Sequence, residues 1–320
     1  MSEVRGLEDF WARRTGRAPP GPLTMAERIL LDARGLGLEQ VLTYLRDWPD
    51  FATFAAWIAA TAGPPDAERI ARYHAWLAGD PVPEATRVRL AAIDAMPPVL
   101  DADEIAHWEA HGYVILRGAI GRGEAAAAAE LLWRVAGADP GDPATWHGQR
   151  NNGIMVQHFC DPALDIARYS PRVHKAFAQL WGRSDLWSIV DRMSFSAPPA
   201  PGRPWQGPLL HWDVSLALPI PFATQGILYL TDTAADQGAT QVVPGFHHRI
   251  EAWLKGLGDA DPRAVDLSAE GVTIPAGAGD LVIWRQDLPH GASPNRAARP
   301  RLAQYVNMYP ADLETNPEWR

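Results

Sequence analysis

Two short stretches of the 320-residue chain carry side chains that can bind a metal. His211 and Asp213 lie two positions apart in the run LLHWDVSLALPI, and on an extended strand side chains two positions apart leave the same face. His290, in the later run LPH, can supply a second imidazole. Two imidazoles and one carboxylate on one side of an ion leave three positions open, which suits a non-haem iron(II) that must also bind oxygen and a cosubstrate. The sequence therefore predicts a metal centre at these three residues.

The His-x-Asp tripeptide alone is a weak signal, since a surface strand with two solvated polar groups has the same pattern. Its surroundings strengthen the prediction. The tripeptide lies in an apolar run, where an unpaired Asp213 would be costly to bury. His290 follows GDLVIWRQDLP, a turn that leads into a strand, and Arg301 lies eleven residues after His290, at the start of the strand-like run RLAQYVNMY.

Three segments together resemble a known family. HWD, YLTDTAADQGATQVVPGFHH and GDLVIWRQDLPHGASPNRAARPR are similar, in order and spacing, to motifs of the phytanoyl-CoA dioxygenase family of iron(II)/2-oxoglutarate oxygenases. The resemblance extends from about residue 101 to residue 310 and does not include the first hundred residues. It implies iron(II) as the metal, 2-oxoglutarate as cosubstrate, O2 as oxidant, and His211, Asp213 and His290 as the catalytic iron ligands. In halogenating relatives Gly or Ala replaces this carboxylate, so Asp213 favours hydroxylation or a related oxidation.

The resemblance also indicates residues for the cosubstrate. A guanidinium pairs with a carboxylate through two hydrogen bonds and stays charged when buried, so Arg301 is expected to bind the distal carboxylate of 2-oxoglutarate, with Arg299 as the nearby alternative. Strand alternation places Tyr305 and Asn307 on the face of Arg301, where Tyr305 can flank the cosubstrate and Asn307 can face the cavity, or either can be core. Ser194, in IVDRMSF, can hydrogen-bond 2-oxoglutarate.

Two irregular segments, residues 139–153 and 196–208, can act as lids, set specificity or simply connect elements. Arg203 and Trp205 in the second segment are predicted to face the substrate. Gln157, on a strand beside the first segment, and Arg192, on the face of Ser194, are further candidates for substrate contacts. Each of these side chains can equally be structural.

The elements that must position these residues divide at about Pro98. Residues 1–98 are predicted to form short helices that pack on the rest as a layer, with Thr24 and Glu27 as a capping box, Gly35 and Gly37 interrupting a helix, and helix starts at Asp50, Asp66 and Glu84. Residues 99–320 are predicted to form the oxygenase domain. It begins with a helix capped by Asp101, followed by a strand, and two further helices cover residues 124–136 and 171–181.

From residue 186 onward, short apolar runs alternate with turn residues, which suggests a sandwich or barrel. The resemblance implies which one: an α+β protein with a double-stranded β-helix core (a cupin-like jelly roll), flanking helices and the N-terminal helical region. The predicted strands cover residues 188–195, 209–216, 225–230, 239–243, 271–274, 280–284 and 301–309.

Composition limits the class of protein. With 47% hydrophobic and 21% charged residues the chain is an ordinary globular protein, and its net charge of −9 argues against a nucleic-acid partner. No stretch approaches the ~20 apolar residues of a membrane span, and the N-terminus has no apolar signal core. Cys160 is the only cysteine, so no intrachain disulfide can form. We therefore expect a cytoplasmic protein that acts on a small molecule and binds neither nucleic acid nor membrane; its oligomeric state cannot be read from the sequence.

The function predicted from these residues is an iron(II)/2-oxoglutarate-dependent dioxygenase that hydroxylates an aliphatic C–H bond of a small metabolite or natural-product intermediate. The same centre can instead catalyse desaturation, cyclisation or epimerisation. A non-catalytic metal-binding homologue, or a cupin-like metalloenzyme that needs no 2-oxoglutarate, is a further alternative. Arg301 argues against these last two, because a carboxylate-binding arginine has little purpose without the cosubstrate.

Overall fold

A computed structural model describes residues 4–148, 151–205 and 207–320, with residues 151–152 described by their backbone. The chain divides into two compact units. One contains Met1–Pro97, Phe159–Asp191 and Met308–Asp312, and the other contains Pro98–His158, Arg192–Asn307 and Leu313–Arg320. A division therefore falls beside Pro98. The first unit also takes in two later segments that the sequence assigned to the oxygenase domain, because contacts between distant segments leave no mark in local composition.

The described residues form helices and antiparallel strands. The helices are α1 (Leu7–Arg14), α2 (Met25–Arg34), α3 (Leu38–Leu45), α4 (Phe51–Ala62), α5 (Ala67–Ala78), α6 (Glu84–Ala95), α7 (Ala102–His111), α8 (Arg122–Ala136), α9 (Pro162–Arg168), α10 (Pro171–Trp181) and α11 (Ile250–Leu257). The strands are β1 (Tyr113–Leu116), β2 (Asn151–Asn152), β3 (Met155–Val156), β4 (Leu186–Ser188), β5 (Met193–Ser196), β6 (Thr224–Tyr229), β7 (Thr240–Val242), β8 (Val272–Thr273), β9 (Leu281–Arg285), β10 (His290–Ala292), β11 (Arg301–Tyr305) and β12 (Met308–Pro310). The predicted mixture of helix and sheet is confirmed.

Local capping explains the helices of the first unit. The backbone N–H of Glu27 donates to the Thr24 hydroxyl at 3.2 Å, and the Glu27 carboxylate accepts from the Thr24 N–H at 2.9 Å, which is the predicted capping box. Asp50 accepts from the backbone of Thr53 at the start of α4. Gly35 ends α2 at φ 81°, a backbone conformation that favours glycine. These helix predictions are confirmed. In the described part of the chain, no helix has both the length and the apolar composition to cross a bilayer.

Two antiparallel sheets make the second unit. One has seven strands in the order β1-β9-β6-β11-β5-β3-β2, and the other has three in the order β10-β7-β8. A shared apolar cluster contains Ile227, Val282 and Ala303 from the large sheet and Val242 from the small one. Tyr229 connects them as well, because its hydroxyl donates to the Ile274 carbonyl at 3.0 Å and accepts from the Thr240 N–H at 2.8 Å.

The strand predicted over residues 209–216 is wrong. Only His211 pairs there, in an isolated bridge with His290. The physical reason lies in the carbonyl groups, because the Arg263 guanidinium donates to the carbonyls of Trp212 at 2.7 Å and Val214 at 2.6 Å. These two carbonyls therefore accept hydrogen bonds from a side chain and not from a neighbouring strand.

Two other strand predictions need correction. The strand predicted over residues 188–195 is two strands, β4 and β5, which belong to different units. The strand predicted over residues 301–309 is interrupted between β11 and β12, which also belong to different units. In both places the apolar run continues although the chain changes the strand with which it pairs, so hydrophobic periodicity alone cannot show where one strand ends and the next begins.

Candidate metal centre

The structure brings His211, Asp213 and His290 together. Each offers one ligand atom, and these atoms all lie within 4.8 Å of one another. Asp213 Oδ1 lies 3.3 Å from His211 Nε2, and Asp213 Oδ2 lies 3.1 Å from His290 Nε2. Within the described ranges, no other group of three or more His, Cys, Asp or Glu side chains is this close. The predicted triad is therefore one site, and its donor set suits a divalent transition metal.

A backbone bridge accounts for the meeting of the two histidines. The N–H of His211 donates to the His290 carbonyl at 2.9 Å, and the N–H of His290 donates to the His211 carbonyl at 3.0 Å. Residues directly opposite in an antiparallel pair project their side chains to the same side. The two imidazole centroids accordingly lie 4.7 Å apart.

Asp213 is held by the residues on either side of it. Trp212 is buried in the apolar cluster, and its indole N–H donates to the Asp287 carbonyl at 3.1 Å. Arg263 holds the carbonyls of Trp212 and Val214, one on each side of Asp213. Trp212 therefore packs into the core, while the next side chain, Asp213, stays 53% exposed beside the two imidazoles.

The hydrogen bonds of the histidines define their tautomers. His211 Nδ1 lies 2.7 Å from the Leu209 carbonyl, and His290 Nδ1 lies 3.1 Å from the Leu288 carbonyl. A carbonyl oxygen only accepts, so both Nδ1 atoms carry hydrogen. In the neutral imidazole this leaves the lone pair on Nε2, the atom that faces Asp213. A backbone partner of this kind orients metal-binding histidines and selects the nitrogen that binds.

Electrostatics in the triad favour a cation. Burial opposes ionisation of Asp213, but hydrogen bonds from His211 and His290 outweigh it and hold the pKa of the carboxyl well below its usual range. Burial also opposes a charge on His211, but hydrogen bonds to Asp213 and to the Leu209 carbonyl raise the pKa of its imidazole. The site therefore stabilises positive charge beside a permanent carboxylate, and a metal ion can supply that charge in place of protons.

Arg301 is only 1% exposed, so its charge is buried. Its Nη2 donates to the Ser194 hydroxyl at 2.7 Å, and that hydroxyl donates in turn to the Ile154 carbonyl at 3.1 Å. In the register of β11 and β5, Arg301 lies opposite Ser196. Arg301 Nε and Ser196 Oγ are both buried without a hydrogen-bond partner among the described residues. Buried polar groups are normally paired, so Arg301 Nε and Ser196 Oγ are donors that can serve a carboxylate.

The face of the sheet that carries Arg301 also leads to the triad. Strand β11 pairs with β6 so that Tyr305 lies opposite Ile227 and Ala303 opposite Tyr229. By alternation, Arg301 shares this face with Tyr305, and Ile227 shares it with Gln225. The Gln225 side chain contacts Asp213. Arg301, predicted for the cosubstrate, and Gln225, which contacts the predicted metal ligand Asp213, therefore project from one face of the large sheet.

Two other predicted residues, Tyr305 and Asn307, differ in where they lie. Tyr305 is half-buried against the apolar cluster, on the predicted face. Asn307 lies beyond the end of β11, where its amide nitrogen donates to the Thr224 carbonyl at 2.6 Å and its oxygen accepts from the Thr224 hydroxyl at 3.0 Å. Thr224 alternates with Gln225, so these bonds hold Asn307 toward the side of β6 away from the triad.

The remaining candidates lie around β3 and β5. Gln157 follows β3 with an exposed side chain, and in the described part of the chain it forms no hydrogen bond with the triad or Arg301. Arg192 precedes β5; its carbonyl accepts from the Tyr305 N–H at 3.1 Å, and its side chain is half-buried. Substrate contacts by these two residues stay predictions.

The two irregular segments meet at a cavity of about 280 Å³. Trp146 and His147 from the first segment, and Arg203 and Trp205 from the second, line it together with Phe195. The Arg203 guanidinium donates to the His147 carbonyl at 3.1 Å, which connects the segments. Gln149 and Arg150, within the first predicted loop, and Gln206, within the second, lie outside the described residues.

Sequence reasoning missed two residues that contact the triad segment. Gln225 Nε2 donates to Asp213 Oδ2 at 2.6 Å, and Arg263 holds the backbone on both sides of Asp213. A signal for Gln225 was present, because it is a polar side chain on the same strand face as the buried Ile227 and Tyr229. Arg263 lies in a short helical turn, Pro262–Ala264, between α11 and β8, and nothing in its local sequence marks it.

Comparisons with known proteins agree on the family. The phytanoyl-CoA dioxygenase (PhyH) family matches residues 95–303. A Dictyostelium discoideum protein, provisionally named a phytanoyl-CoA dioxygenase, is 20% identical over 258 residues, which are 63% of this chain and 74% of that protein.

Similar solved structures include the non-haem α-ketoglutarate-dependent epimerase SnoN from nogalamycin biosynthesis, at a TM-score of 0.48 and 20% identity, over 71% of this chain and 86% of SnoN. HygX from Streptomyces hygroscopicus, with nickel and 2-oxoglutarate bound, is similar at a TM-score of 0.47 and 17% identity, over 70% of this chain and 91% of HygX. The family match itself covers well over half of the sequence, so the chain belongs to the phytanoyl-CoA dioxygenase family.

Proposed function

We propose that this chain is an iron(II)- and 2-oxoglutarate-dependent dioxygenase that hydroxylates an aliphatic C–H bond of a small metabolite or natural-product intermediate. Besides family membership, one observation carries the proposal. The Nδ1–H groups of His211 and His290 donate to backbone carbonyls, so both histidines present Nε2 to Asp213. The buried Arg301, whose Nε has no partner among the described residues, lies on the same sheet face as Gln225, which contacts Asp213. We also propose that the two sheets form a double-stranded β-helix, which their antiparallel pairing and shared core support.

In this proposal His211, Asp213 and His290 hold iron(II), and Arg301 with Ser196 binds the distal carboxylate of 2-oxoglutarate. Iron(II) and 2-oxoglutarate together supply the oxidation: one atom of O2 enters succinate as CO2 is lost, and the other enters the substrate. The donor set of two nitrogens and one oxygen suits this metal, and the orphaned Arg301 Nε suits the carboxylate.

The protein's own residues supply binding and orientation. Asp213 stays ionised because its neighbours lower its pKa, so it adds negative charge to the metal site. Ser194 accepts from Arg301 and thereby directs the guanidinium, while Ile154 fixes Ser194 in turn. Tyr305 packs beside this position as a flank for the cosubstrate.

Arg203 and Trp205 are proposed to contact the substrate, since both lie in the irregular segment 196–208 that leads to His211. Gln157 and Arg192 complete the proposed set, whereas the two hydrogen bonds of Asn307 to Thr224 argue against a substrate contact by that residue. The net charge of −9 supports a small-molecule partner over nucleic acid, and a cytoplasmic location is part of the same proposal.

Succinate production tests the proposed function. The protein, loaded with iron(II) without oxygen and then given 2-oxoglutarate and air, is expected to form succinate in proportion to the iron bound. His211→Ala is expected to abolish this, whereas the matched variant His107→Ala, in a helix with its ring against His111 and Tyr113, is expected to retain it. Succinate formation that persists in His211→Ala contradicts the proposal.

The cosubstrate role has its own paired test. Arg301→Leu is expected to raise the KM for 2-oxoglutarate by about 100-fold or more, because a buried charge-assisted pair is lost. Arg299→Leu removes an exposed guanidinium two positions away and is expected to leave this KM unchanged. Equal effects of the two substitutions contradict the assignment of Arg301.

Labelled oxygen separates hydroxylation from its alternatives. With ¹⁸O2 and a substrate found by screening, hydroxylation places one labelled atom in succinate and one in the product. Desaturation, cyclisation and epimerisation place label in succinate alone. A product without label therefore contradicts hydroxylation and indicates desaturation, cyclisation or epimerisation.

A further inference from the structure

Gln225 lies between one member of the metal centre, Asp213, and one aromatic side chain, Trp284. It stands opposite Trp284 in the pairing of β6 with β9. Its amide nitrogen donates to Asp213 Oδ2 at 2.6 Å, and its amide oxygen accepts from the Trp284 indole N–H at 3.1 Å. Trp284 also packs against His290, with ring centroids 5.2 Å apart. These contacts form a chain from the aromatic core to the carboxylate.

The chemistry of the two neighbours decides which way the amide faces. An indole N–H only donates, so it must meet the amide oxygen; an ionised carboxylate only accepts, so it must meet the amide nitrogen. Each neighbour alone requires the same orientation, and together they exclude the flipped one. Trp284 therefore turns a freely rotating amide into a donor with a fixed direction.

This donor acts on only one of the two carboxylate oxygens. Oδ2 accepts from the Gln225 amide at 2.6 Å and also lies 3.1 Å from His290 Nε2, while Oδ1 lies 3.3 Å from His211 Nε2. A carboxylate that binds a metal through both oxygens occupies two coordination positions, whereas one that binds through a single oxygen occupies one. The hydrogen bond from Gln225 makes Oδ2 the less basic oxygen, so the metal is expected to bind through Oδ1.

We propose that Gln225, oriented by Trp284, is a positioning residue that keeps Asp213 a ligand through one oxygen and so preserves the open positions of the metal centre. The inference rests on the proposed function, and it concerns a residue of this chain that the triad pattern does not include. Gln225 acts through Asp213, and Trp284 acts through Gln225.

Cobalt(II) binding without 2-oxoglutarate or turnover tests the proposal. Its visible absorption changes in intensity with coordination number, so it reports both affinity and the number of ligands. Gln225→Leu, which keeps the size but removes the amide, is expected to weaken cobalt(II) binding about 10- to 100-fold and to alter the spectrum. The matched control is Gln241→Leu, which removes a half-buried strand glutamine that donates to the Ala292 carbonyl, and it is expected to change neither.

A double-mutant cycle separates positioning from general packing and does not depend on Gln225→Leu alone. Trp284→Phe keeps an aromatic ring but removes the indole N–H, and it is expected to weaken cobalt(II) binding several-fold with the same spectral change. In the Gln225→Leu background the substitution is expected to add nothing, because its effect passes through the amide. Additive effects overturn the proposal, and so does a Trp284→Phe protein that binds like the wild type.

The failures of the two proposals can be distinguished. If the wild type binds cobalt(II) and Gln225→Leu binds it with the same affinity and spectrum, the inference on Gln225 is overturned and the metal centre stands. If the wild type binds no cobalt(II), the metal centre itself is overturned and the inference falls with it.

Discussion

Two aspartates, one in each unit, show how surroundings decide what a carboxylate does. Asp32 of α2 is 6% exposed, and accepts from the Val190 N–H at 2.8 Å and the Tyr309 hydroxyl at 2.7 Å. Burial raises the pKa of Asp32 to about 6, since these neutral donors and the more distant charges of Arg28 and Arg168 offset only part of the desolvation. Asp213 also loses solvent, which alone would raise its pKa, yet the pKa falls because hydrogen bonds and charge from His211 and His290 outweigh the burial.

The contrast separates a structural carboxylate from one suited to a metal. Asp32 joins α2 to β12 and to the backbone before β5 through hydrogen bonds that the protonated, neutral carboxyl can still partly accept. The partners of Asp213 are two imidazoles, which can either carry a positive charge or bind a cation through Nε2. Burial alone therefore does not identify a functional carboxylate, whereas the charge and number of its partners do.

The largest expected difference between the two aspartates is in metal binding. Asp213→Ala is expected to weaken cobalt(II) or iron(II) binding by more than the roughly 100-fold that loss of an outer partner costs, because a direct ligand is removed. Asp32→Ala is expected to leave the metal affinity of the folded protein unchanged while lowering its stability. Isothermal titration of both variants checks this, and a matching loss of affinity in Asp32→Ala would break the comparison.

The second expected effect is on stability as a function of pH. In the folded protein the Asp32 carboxyl holds its proton up to a pKa of about 6, against an ordinary value of 3.8. The protonated Asp32 carboxyl therefore stabilises the folded protein fully below pH 3.8, and this stabilisation is lost as the pH rises through 6. The loss is about 3 kcal/mol. Urea unfolding of the wild type and of Asp32→Asn across this range is expected to show the wild type losing stability relative to the variant as pH rises. A constant difference contradicts the assigned pKa.

The third effect concerns the irregular backbone that carries Asp213. Arg263→Ala removes charged donors from the carbonyls of Trp212, Val214 and Arg320, and is expected to lower the free energy of unfolding by about 2 kcal/mol and metal affinity about 10-fold. Arg249→Ala breaks an exposed ion pair with Glu270 and serves as the control, with little expected change in either quantity. An Arg263→Ala protein with unaltered metal affinity would show that the triad does not need this support.

The smallest effect sharpens the description of Asp32. In the wild type, the hydrogen bond from the Tyr309 hydroxyl lowers the pKa of Asp32. Tyr309→Phe removes this bond, so the pKa of the carboxyl is expected to rise further. The expected loss of stability is about 1 kcal/mol, the usual net value of one hydrogen bond. The pH-dependent part of the unfolding free energy should extend to higher pH in Tyr309→Phe but not in the control Tyr44→Phe, whose ring stacks on Trp57. An unchanged pH dependence would remove Tyr309 from the account.

Prediction from sequence succeeded where the determining contacts are local. The capping residues Thr24 and Asp50 bond to backbone three positions away, so a short window contains the whole interaction. The members of the triad were also predictable, because their residue types limit the chemistry and their flanking motifs resemble a family. Prediction failed around Asp213, where residues 209–216 alternate like a strand but Arg263 takes the carbonyls that a strand would use.

The available metal donors and the starts of most helices could be predicted, because both depend on residue identity and near neighbours. How those donors are held depends on contacts between distant segments. The bridge between His211 and His290, the arginine behind Asp213 and the amide of Gln225 join segments whose separation along the chain no periodicity records. Side-chain hydrogen bonds depend on position in space, and folding alone sets that position.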